Sequence, residues 1–71
     1  MTSKVTKKLD HISDDVIGVI NRMNYIQSVI KHFEDSDDLM SIENVLRAAS
    51  TDIAYMINDV MLLYDELEDE E

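Results

Sequence analysis

The chain has no cysteine, no proline and no tryptophan, and one glycine in 71 residues. Without cysteine, disulfides and thiolate metal sites are excluded; a secreted miniprotein of this length usually carries paired cysteines, so a cytoplasmic location is expected. The lack of proline and near-lack of glycine argue against a turn-rich β fold and suit long uninterrupted helices. Basic residues are scarce, six against sixteen acids for a formal charge of −10. Direct nucleic-acid binding is therefore not expected, since phosphate contacts need a basic surface. Apolar runs reach only five residues, as in Val60 to Tyr64, too short to span a bilayer. Lys4, Lys7 and Lys8 are followed by Asp10, and no uncharged stretch reads as a signal-peptide core. No membrane association is expected.

What is present is a repeat. Val5, Leu9, Ile12, Val16, Val19, Met23, Ile26, Ile30 and Phe33 alternate at spacings of four and three, and Leu39, Ile42, Leu46, Ala49, Ile53, Met56, Val60, Leu63 and Leu67 repeat the pattern. Such a sequence forms two long amphipathic helices with coiled-coil-type seams. The first helix is expected over about 3–33, capped by Thr2 or Ser3. Glu34 to Asp38 then forms the turn, with Asp37 or Asp38 capping a second helix over about 39–67. Residues 68–71 form an acidic tail expected to fray. The whole is one domain, residues 1–71.

A connection of about five residues forces the helices antiparallel. With Leu9, Val16, Met23 and Ile30 at a, and Ile12, Val19, Ile26 and Phe33 at d, folding about the turn pairs an a with a d in every layer. In the second helix Leu39, Leu46, Ile53 and Val60 take a, and Ile42, Ala49, Met56 and Leu63 take d. The opposing g positions then pair Lys8 with Glu66, Arg22 with Asp52 and Val29 with Val45, leaving Asp15 against Asp59 as the one like-charge pair. The lysines beginning the first helix and the acids ending the second each oppose a helix dipole, a conflict that the hairpin offsets.

Two helices do not cover the remaining apolar residues. Ile20, Ile57 and Tyr64 fall at e, Ile17, Ala54 and Met61 at b, and Tyr55 and Leu62 at c, while every f position is polar. This apolar sector is wider than a two-stranded seam and suits a three- or four-helix bundle, completed by dimerisation or by a partner. Ile17, Ile20, Ala54, Ile57, Met61, Leu62 and Tyr64 are the candidate partner interface. Among the methionines, Met56 fits core filling, whereas Met40 and Met61 suit either a core or an adaptable contact surface.

Catalytic chemistry has little support. His11, Asp14 and Asp15 lie within one turn but occupy c, f and g, whereas bundle metal sites project ligands inward from several helices. His32 has no matching acid cluster, and neither histidine has a serine or cysteine partner at a useful spacing. No catalytic residue, metal site or cofactor is expected. Gly18, in mid-helix, reads equally as a point of close helix approach or as drift at a tolerant position. Asp65, Glu66, Glu68, Asp69, Glu70 and Glu71 form an acidic surface that solubilises the chain or competes for a basic one.

These features predict a small, acidic, non-enzymatic protein–protein interaction module, of regulator, inhibitor or co-chaperone type. It would bind itself as a homodimer, another protein, or both. The alternative is an acidic mimic of nucleic acid that inhibits a DNA- or RNA-binding protein, of the kind a phage or mobile element directs at its host.

Overall fold

A computed structural model describes residues 3–69, which form two antiparallel helices packed as a hairpin: α1 (Ser3–Lys31) and α2 (Ser36–Asp69). The Cα trace extends over 55 × 14 × 11 Å with a radius of gyration of 16.4 Å. A compact chain of this length would have a radius near 11 Å, so the molecule is a rod one helix thick. Among the described residues no helix is long and apolar enough to cross a membrane.

Both helix boundaries at the turn differ from the expectation. α1 stops at Lys31, leaving Phe33 outside the helix rather than on its seam. There the His32 amide bonds both Ser28 O and Val29 O at 3.2 Å, and the Phe33 amide bonds Ile30 O at 3.4 Å. This is the three-residue tightening with which helices close their last turn. α2 begins at Ser36, three residues earlier than expected, because the acidic run is a cap rather than a linker. Asp35 Oδ1 accepts the Asp37 amide at 3.0 Å. Asp38 Oδ2 accepts the Glu34 and Asp35 amides at 2.7 and 3.4 Å. The reciprocal arrangement is a capping box with aspartates in both roles. The N-cap is therefore Asp35, neither Asp37 nor Asp38; those two lie in the first turn and favour the positive end of the dipole.

At the other end Ser3 is already helical, and Thr2, the alternative cap, lies outside the described residues. α2 continues through Glu68 to Asp69 instead of fraying after Leu67. Glu70 and Glu71 lie outside the described residues.

The register agrees with the heptad reading, for Arg22 pairs with Asp52 across the hairpin. Asp15 and Asp59 also line one groove. The rotation of the helices differs. Val5, Ile26, Ala49 and Leu63, all at d, are the buried apolar residues, with Val5 and Ala49 each 2% exposed. The other d residues within the helices, Ile12, Val19, Ile42 and Met56, are half-buried, and so are Lys8, Asp15, Arg22, Val29, Val45, Asp52, Asp59 and Glu66 at g. Apart from half-buried Met23, the a residues are exposed: Leu9, Val16, Ile30, Leu39, Leu46, Ile53, Val60 and Leu67. The helices meet along d with g closed over one flank, instead of along a and d equally.

Small residues mark part of the closed side. Gly18, Ser41 and Ala48 occupy c beside g, and all three are half-buried. The a side carries leucine, isoleucine and valine. Tyr25, Tyr55 and Leu62, also at c, are exposed, so the hairpin closes toward g throughout and toward c only at Gly18, Ser41 and Ala48.

Candidate interaction face

In an antiparallel pair the g positions of both helices share one flank and the e positions share the other. With g closed, the open side presents a and e from both helices. It carries Leu9, Val16, Ile20 and Ile30 from α1, and Leu39, Leu46, Ile53, Ile57, Val60, Tyr64 and Leu67 from α2, every one exposed. Ile57 is 57% and Tyr64 66% exposed.

This face is almost free of charge. The chain carries six basic and sixteen acidic residues. Among the described residues of the two helices, Glu43 alone of these stands at an a or e position. Its carboxylate receives Arg47 Nη2 at 2.8 Å, one turn along the same helix. The remaining polar e positions hold Thr6, Ser13, Gln27, Ser36 and Ser50, uncharged and short or flexible. A contiguous apolar surface cleared of charge is the usual mark of a contact surface.

The interface residues expected from sequence fall in three places. Ile20, Ile57 and Tyr64 lie on this face, and Ile17, Ala54 and Met61 at b widen its edges. Leu62, at c, lies on the opposite flank. All seven are exposed. Sequence reasoning missed the a residues, which it assigned to the interior of the hairpin and which make up most of the open face. The alternation of threes and fours carries no signal that separates them from the d residues, because both rows are apolar.

The opposite flank is wet. His11, Asp14, Asp15, Tyr55 and Asp59 line an open groove of about 340 Å³. It brings the like-charged Asp15 and Asp59 together with no lysine or arginine in its lining. No three histidine or acidic side chains among the described residues converge closely enough to hold a metal ion. Farther along, Gly18, Asn21, Arg22, Tyr25 and Val45 line a second open groove of about 360 Å³. Arg22 lies over Gly18: a Cβ built there would meet Arg22 Nη1 at 3.4 Å and Asp52 Oδ2 at 3.8 Å. The missing side chain thus leaves room for the ion pair at the place where the helices close.

Of the acidic surface, Asp65 and Glu68 are exposed, Glu66 is half-buried at g, and Asp69 closes α2. These acids are therefore carried on a helix. α2 has no basic residue in its last turn to complement its dipole.

Comparison of the chain with protein-family models, with curated proteins and with solved structures finds no match to any of them.

Proposed function

We propose that this chain is a small, acidic, non-enzymatic protein–protein interaction module, a cytoplasmic regulator, inhibitor or co-chaperone, that acts through the open apolar face. The observation that carries the reading is the concentration of exposed leucine, isoleucine and valine on a surface holding one ionisable carboxylate. Left in water, such a surface is unfavourable by about 25 cal/mol per Å² of apolar area. Covering it is the strongest physical demand the chain makes. The grooves of the other flank are open to solvent, and neither offers the enclosed constellation that acid–base or nucleophilic catalysis uses.

The test is affinity capture with the unmodified chain and with Ile57→Asp/Met61→Asp. Association with itself or another protein, lost in a variant that keeps its helical circular dichroism, supports the reading. Equal association by both forms overturns it.

One observation favours a second reading. Asp65, Glu66, Glu68 and Asp69 stand on a continuous helix, and at about 1.5 Å rise per residue they present one charge per ~2 Å of axis. Duplex DNA carries one per ~1.7 Å. An acidic helix end could thus occupy a basic, nucleic-acid-binding surface. Binding of that kind weakens steeply as salt rises, and salt-insensitive binding would exclude it.

A further inference from the structure

We infer that the occupant of the open face is a second copy of this chain, the two hairpins meeting a/e face to a/e face in a closed four-helix bundle. This names the partner of the surface just described and rests on that reading of it.

Area is the first argument. The chain exposes 5504 Å². A compact monomer of its 8.2 kDa mass would expose about 4,500 Å², so the hairpin carries an excess of about 1,000 Å². A stable interface takes about 800 Å² from each partner. One face-to-face contact therefore removes roughly the surplus that distinguishes this rod from a compact protein.

Charge is the second. A formal charge of −10 opposes self-association unless the acids are kept from the contact. Here they are: the a/e face bears Glu43 alone, already engaged by Arg47, and the other acids of the two helices lie at b, c, f and g. Two copies can close this face without bringing their acids together at its centre. A surface evolved for a foreign partner of a strongly acidic protein would gain steering and selectivity from charge at its rim and interior. An uncharged face gives that up, and fits a partner with the same uncharged face.

Pattern is the third. Each helix is apolar at d, which the hairpin buries, and again at a, which apart from Met23 it leaves open, with Ile20, Ile57 and Tyr64 adding to that row at e. A helix with two apolar rows, one covered by its hairpin partner and one left open, is patterned for two neighbours, as in a bundle. The hairpin supplies one neighbour to each helix, and an identical hairpin supplies the other.

Sedimentation equilibrium over a concentration series tests this, on the unmodified chain and on Ile20→Glu/Ile57→Glu. Both substituted positions are exposed and lie off the d/g seam. The expected result is twice the chain mass, about 16 kDa, for the unmodified protein, and 8.2 kDa for the variant. A thermal midpoint that rises with protein concentration is expected as well, and reads the same coupling even if the variant fails to fold alone. A species of 8.2 kDa at every concentration overturns the second copy, and so does assembly beyond two chains. In the monomeric case a hydrophobic dye separates the two levels of the argument. Dye bound by the unmodified chain and lost in the variant leaves the docking face standing with another occupant; no dye bound removes the face as well. A variant that remains dimeric removes both.

Discussion

Arg22 of α1 and Asp52 of α2, thirty positions apart in sequence, form the ion pair that ties the two helices together midway along the hairpin. Their side chains are 39% and 21% exposed, so solvent screens much of the attraction, and the pair selects the register more than it adds stability. Exposed pairs contribute about 0.2–1 kcal/mol. In a double-mutant cycle with Arg22→Ala and Asp52→Ala, the coupling energy is expected at the lower half of that range, measured by urea unfolding. A coupling near zero would leave register to the apolar residues alone.

Asp35 and Asp38 satisfy three backbone amides between them at the start of α2. Asp35→Ala should cost about 1 kcal/mol, the usual loss for an N-cap aspartate. Asp38→Ala should cost a comparable amount, since it frees the Glu34 and Asp35 amides. Asp37→Ala, which removes charge from the first turn but no cap, should cost less than either. The order of the three urea midpoints is the check, and Asp37 as the most sensitive position would contradict the cap assignment.

Gly18→Ala should stabilise the hairpin. Glycine in mid-helix costs up to ~1 kcal/mol relative to alanine, Gly18 has no positive φ, and the added methyl would make ordinary contact with the movable end of Arg22. A gain of about 0.5–1 kcal/mol in thermal or urea unfolding is expected. Gly18→Leu should instead displace the guanidinium and lose stability, because it fills the side on which the helices close.

Asp15 and Asp59 line one groove that also holds His11 but no lysine or arginine. Asp59→Asn should raise stability by a few tenths of a kcal/mol, and Asp59→Lys by somewhat more, on the scale of surface pairs. Both gains should shrink as salt rises. A loss on Asp59→Asn would show that the carboxylate has a role that repulsion does not describe.

Much of this fold is legible in the spacing of residues. The alternation of threes and fours specifies two helices, the short connection makes them antiparallel, and the charges at g select the register that joins Arg22 to Asp52. Two things escape the pattern. Heptad spacing marks a and d as equally apolar, so it does not say which row a hairpin buries. That depends on how the helices rotate about their axes, with Gly18, Ser41 and Ala48 half-buried beside g while the larger Tyr25, Tyr55 and Leu62 at c stay exposed. The result is that Leu46 and Ile53, interior by pattern, face outward, while Asp15 and Asp52 are drawn partly inward. The run Glu34 to Asp38 likewise has the composition of a linker. Its capping role lies in the three-residue interval between Asp35 and Asp38, which composition does not register and spacing does.

A rod one helix thick has sides but no depth. In a globular domain, tolerance to substitution rises from centre to surface. Here it should change with direction around each helix and stay nearly constant along 55 Å of length. A full substitution scan of this chain would then resolve into lengthwise bands repeating every seven residues, among them one intolerant of polarity at d and one indifferent at f. Where the a band falls between these two would measure how much of the molecule's working life that row spends out of water.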